Sequence, residues 1–179
     1  MPVKALHKVQ KHIIKKKGKN ASIHEHSRDS KRLQRASGRE DKIAKVISAR
    51  QKVNRPHLHR VAFLQTATAD RTEPLQLPEI QDLIGLYIHR LESKLDDLNA
   101  ERRPGRPAST GEVTLKQQRD RDVQEYDAGF WIPDLQDVKV LETLKGWGGE
   151  WVSLNTMKFV RIAKDGTRLE SSFPPKGQS

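Results

Sequence analysis

The sequence predicts an all-α fold: a small helical domain, preceded by a basic extended arm and a long basic helix, and followed by a tail that is extended or a short hairpin. Three observations lead there. Apolar residues recur at three- and four-residue steps between Ile80 and Leu98. Ser27 and Ser109 stand where helix N-caps would stand. Charge is split along the chain: residues 1–60 hold 18 Lys and Arg against 4 Asp and Glu, a net of +14, whereas residues 61–179 hold 16 against 19, a net of −3.

The predicted organisation is a flexible basic arm over residues 1–26, a basic amphipathic helix over 27–56, a helical body over 57–150 and an extended tail over 151–179 whose last residues are disordered. Apolar residues are only 34% of the chain and charged residues 32%, so the expectation is a soluble intracellular protein that is only partly globular. The absence of cysteine excludes disulfides, thiolate zinc sites and a cysteine nucleophile. No apolar run approaches the roughly 20 residues of a membrane span, and residues 1–19 lack the apolar stretch of a signal peptide. The first aromatic residue is Phe63. A segment that lacks aromatics and carries dense like charge cannot offset its chain entropy by burial. Residues 1–60 are therefore expected to order on a polyanion.

Residues 1–19 contain seven lysines and no acid, most densely at Lys15, Lys16, Lys17 and Lys19. They read either as a phosphate-contacting arm that doubles as a nuclear import signal or as a solvated tail. From Ser27 to Val53 the chain has no proline, and Pro56 marks the predicted end of the helix. At about 100° per residue, Arg28, Arg32, Arg35, Arg39 and Lys42 share one face, with Leu33, Ala36, Ile43 and Ile47 on a neighbouring stripe. A row of guanidinium groups, one per turn, can track a nucleic-acid backbone and pair with its phosphates. A membrane-surface helix is the poorer reading, because the stripe is narrow and has no Trp or Phe.

In the body, residues 57–70 read as a short helix. A single helix is predicted from Glu79 to about Glu101, carrying Ile80, Leu83, Ile84, Tyr87, Ile88, Leu91, Leu95 and Leu98. The loop at Arg103 and Arg106 adds two weaker phosphate-binding candidates. Ser109 and Glu112 have capping-box spacing for a mostly polar helix to about Tyr126, with Val113, Val123 and Tyr126 as its apolar anchors and Gly129 at its end. The run from Phe130 to Leu135 reads as an apolar, non-helical joint, and a further helix is expected near residues 137–145. Beyond Trp151 either a hairpin about Asp165-Gly166 or a docked extended tail fits.

Catalytic patterns are weak. There is no phosphate-binding glycine loop and no nucleophile elbow. His24-Glu25-His26 and His57-Leu58-His59 have metal-like spacing but read better as phosphate or surface contacts. Asp96-Asp97 and the Asp120/Asp122 pair read as solvated acids, since acid–base work would need burial. No enzyme activity, cofactor or metal is expected. The runner-up is a chromatin or DNA-binding basic protein.

The ordered strings point to a family. They are His26-Ser27-Arg28 opening a helix with Arg39-Glu40-Asp41-Lys42; Asp82-Leu83-Ile84 with Tyr87, Arg90 and Leu91; and Lys116-Gln117 with Arg119-Asp120-Arg121, leading to Ile132-Pro133-Asp134-Leu135, Leu144, Trp147 and Met157-Lys158. Over residues 24–162 the chain resembles the eukaryotic translation machinery-associated protein 16 family. The resemblance implies a non-catalytic nuclear assembly factor, nucleolar and nucleoplasmic, that binds pre-60S particles. It implies contact with large-subunit rRNA and ribosomal proteins and none with membranes, and the chain is expected to be monomeric when free. By the same resemblance the basic arm and helix lie along rRNA while the body docks on the particle; the charge pattern read above makes Lys15, Lys16, Lys17, Lys19, His26, Arg28, Arg32, Arg35, Arg39, Lys42, Arg103 and Arg106 the expected contacts. The chain departs from vertebrate members in stopping soon after Ile162 without a long acidic tail, and it has Glu25 between two histidines where a basic or small residue is expected.

Overall fold

The computed structural model describes residues 5–18, 23–103 and 105–175. Helices dominate, yet the fold is mixed, because a three-stranded antiparallel sheet corrects the all-α expectation. The chain forms two compact units, the first ending at Arg55 and the second beginning at Pro56.

In the first unit the arm is helical, not extended: α1 spans Ala5–Lys17. Its lysines disguise a stripe of Leu6, Val9 and Ile13, the last of them buried. The helix α2 spans Arg28–Ala67. Ser27 caps it as expected, its Oγ accepting from the Ser30 amide at 3.1 Å. The Leu6 amide donates to Glu40 Oε1 at 3.0 Å, and Lys17 Nζ lies 3.3 Å from Asp29 Oδ2. These two ties run the helices antiparallel, and Ile13 of α1 and Ala36 of α2 are both buried.

Pro56 does not end α2, which absorbs the segment predicted as a separate short helix. Proline removes one amide donor, and the carbonyl it would have served, that of Lys52, belongs to an exposed residue that water can reach. Beyond the proline, Val61 and Leu64 are buried in the second unit's core.

That core is built from α2's last turns, α3 (Leu77–His89), β1 (Phe130–Pro133), α6 (Val138–Lys145) and β2 (Phe159–Ile162), with α4 (Glu92–Glu101) and α5 (Thr110–Ala128) alongside and β3 (Arg168–Ser171) as the exposed edge of the sheet. The predicted joint at Phe130 is in fact β1, which pairs antiparallel with β2, Phe130 opposite Ile162 and Pro133 opposite Phe159. The β2–β3 hairpin pairs Ile162 with Arg168, and Gly166 turns it at a φ of +86° that favours glycine. Trp131 stacks on Phe159 with ring centroids 4.2 Å apart. Trp131 and Trp147 are both buried.

The single helix predicted from Glu79 to Glu101 breaks at Arg90-Leu91. The Tyr87 carbonyl accepts from the Arg90 amide and the Arg90 guanidinium, so the four-residue ladder is interrupted there. The guanidinium also sits 3.4 Å from the centre of the Tyr87 ring and donates to Asp122 at 3.0 Å.

The helix α5 is inverted relative to expectation. Ser109 does cap it, accepting from Glu112's amide at 3.1 Å. Its buried residues, however, are Glu112 and Asp122, while Val113 and Val123 are exposed. Arg60 of α2, 2% exposed, makes two 2.7 Å bonds to Glu125 and one of 3.0 Å to the Trp131 carbonyl, with its guanidinium carbon 3.7 Å from the centre of the Phe130 ring. Asp122 bridges Arg60 and Arg90. Burial pushes the Asp122 carboxyl above its ordinary value despite both arginines. Burial also acts on Glu125, but the hydrogen bonds and charge of Arg60 outweigh it and hold that carboxyl below its ordinary value.

Candidate nucleic-acid interface

The first turns of α2 arise from the Ser27 cap and a run with no proline before Pro56. The helix period then brings Arg28, Arg32, Arg35, Arg39 and Lys42 onto one side, and all five are exposed. Among the described residues none of the five takes part in an ion pair, in contrast to Arg60, Arg90 and Arg102. Arg28, Arg32 and Arg35 line one shallow surface depression together with Lys31. The depression lies at the positive end of the helix macrodipole, which favours an anion. Guanidinium groups at one-turn spacing can bind successive phosphates.

The other expected contacts are more scattered. Lys15 and Lys16 are exposed on the last turn of α1, where cations complement the helix dipole. Lys17 is partly occupied by Asp29. Lys19 falls outside the described residues. His26 is exposed, with its ring edge-on to His24 at 6.2 Å. Arg103 and Arg106 are exposed in the second unit, in a turn closed by a 3.1 Å bond from the Arg106 amide to the Arg103 carbonyl. Two cations were missed by the sequence reading. Lys31 shares the depression, and Arg50 continues the row on the same face. Extending the same helical period past Lys42 would have found Arg50.

The residues weighed for catalysis have other occupations. Asp122, expected to be solvated, is buried between two arginines, and Asp120 pairs with Arg119. His57 packs edge-on against Trp131 at 5.3 Å, and burial followed by the Arg60 charge lowers its basicity. Among the described residues no three His, Asp or Glu side chains gather where they could share an ion.

A model of the translation machinery-associated protein 16 family matches residues 19–164. The chain belongs to that family. Translation machinery-associated protein 16 of Saccharomyces cerevisiae is 38% identical to it over 174 residues, covering 94% of this chain and 97% of the yeast protein. The protein of that name from Mus musculus is 25% identical over 150 residues, 80% of this chain and 67% of its own length. The Danio rerio protein is 24% identical over 156 residues, 84% and 80% respectively. The matched segment contains α2 entire, with all five cations of its row, and the sheet through β2.

Proposed function

We propose that the chain is a non-catalytic assembly factor of the large ribosomal subunit that binds nuclear pre-60S particles through rRNA. Family membership supports a role connected with translation or the ribosome. The observation that carries the finer reading is the row Arg28, Arg32, Arg35, Arg39 and Lys42: five exposed cations on one helical face, with no acid paired to them among the described residues. Such a row binds phosphates, which fix position and affinity more than sequence. Lys15, Lys16, Lys17, Lys19 and His26 add charge beside it in the sequence, and Arg103 and Arg106 supply a second, smaller contact. The acid-balanced body, residues 61–179 with a net of −3, docks on ribosomal proteins of the particle. The factor resides in the nucleolus and nucleoplasm and is a monomer when free, with no membrane partner.

Crosslinking of the tagged protein to RNA in cells, followed by sequencing, tests this reading. Reads concentrated at a few large-subunit rRNA sites, precursor spacer included, are expected. Reads spread over mRNA, or displacement of structured rRNA by duplex DNA at equal phosphate concentration, would contradict it.

A further inference from the structure

The face of α2 that carries the cation row changes chemistry along its length. Up to Lys42 it presents basic groups; beyond it come Ile43, Val46, Ile47 and Val53, interrupted by Arg50. These four aliphatic residues fall within an arc of about 120° at the helical period. They are 51%, 51%, 49% and 68% exposed respectively. Every residue from 41 to 53 is exposed, so about 20 Å of helix has no face buried in the first unit's own packing. Scattered exposed aliphatics are ordinary, but a stripe at three- and four-residue spacing on an unpacked helix is a helix-docking surface.

Charge selects the occupant. Arg39, Lys42 and Arg50 border or interrupt the stripe. The nearest acid, Glu40, is held by the Leu6 amide, and Asp41 lies on the opposite side of the helix. A second copy of the chain is disfavoured. Antiparallel pairing about Val46 sets Arg50 against Lys42, and parallel pairing sets Arg50 against itself. RNA offers phosphates to the arginines but gives β-branched aliphatic side chains little apolar surface to bury against. We infer that Ile43, Val46, Ile47 and Val53 dock an acidic amphipathic helix of a protein partner, whose apolar residues cover the stripe and whose carboxylates meet Arg50. The segment is then two-handed: its first half holds phosphate and its second half holds protein. This inference does not depend on the RNA reading, because the stripe's occupant is judged separately from the row's.

The experiment places a benzophenone amino acid at Val46 in the tagged full chain, irradiates cells and sequences what is attached. The expected adduct is a protein segment with Leu, Ile or Val at three- and four-residue steps and Asp or Glu beside them. The double change Ile43→Ser with Ile47→Ser, both at exposed positions, is expected to reduce that adduct by about tenfold or more. The circular dichroism and the affinity for duplex RNA should stay as in the parent. Adducts to RNA, to a second copy or to a segment without acids would overturn the inference. So would the absence of any adduct, or loss of RNA affinity in the double variant.

Discussion

Arg60 and Arg32 stand on the same helix in different surroundings. Arg60 is enclosed by Glu125, Asp122, the Trp131 carbonyl and the Phe130 ring. Arg32 is exposed and meets no acid among the described residues. The second unit has a core of aromatic and aliphatic residues in which arginine serves as an internal strut. The first unit buries Ile13 and Ala36 and leaves its arginines turned outward. A cation that the fold has already satisfied has little left for a ligand; one that the fold leaves unmatched is available for it. Whether the fold encloses an arginine with acids or leaves it outward therefore decides whether its loss is felt as instability or as lost binding.

The sharpest break of that comparison is Arg60→Ala. It leaves Glu125 buried without its partner and Asp122 with Arg90 alone, and should cost the second unit about 3–5 kcal/mol. Urea denaturation followed by tryptophan fluorescence reads that unit, because all three tryptophans lie there. Gly166→Ala should cost about 1–2 kcal/mol by the same measurement, since alanine resists the +86° φ of the hairpin turn. His57 tests the electrostatics. Its basicity is lowered in the fold by burial and by Arg60 and Arg161, with Glu125 opposing them. The unfolded chain therefore takes a proton near the ordinary 6.5 that the folded chain refuses. Stability should decline as pH falls below that value, by no more than about 1.4 kcal/mol per pH unit, and His57→Leu should flatten the decline. Smallest of all, Arg32→Ala should change stability by no more than about 0.5 kcal/mol, read by circular dichroism of the helices during denaturation.

Local signals in the sequence were read well and long-range ones poorly. Ser27 and Ser109 capped their helices because a cap is settled within three residues. The hairpin about Gly166 was one of two open readings, and its glycine turn is likewise local. The strand at Phe130 was hidden because its partner, Ile162, lies far along the chain. All four of its residues are buried, so it shows no alternation. The helix α5 misled through its composition: its inward face is carboxylate, legible only once Arg60, Arg90 and Arg102 are known to face it. The break at Arg90 had the same origin, a side chain reaching Asp122 across the fold. The cation row was legible because one helical period defines it. Lys31 and Arg50 were missed at its margins.

The most direct test of the outward-facing row is the salt dependence of binding to a structured rRNA duplex. If the row and its neighbours neutralise about six phosphates, log affinity should fall against log salt with a slope of about −5. In the triple variant Arg32→Ala, Arg35→Ala, Arg39→Ala the slope should shrink to about −3, with an unchanged helical circular dichroism. An unchanged slope in the folded triple variant would contradict the account, because the exposed arginines of α2 would then not be what holds the RNA.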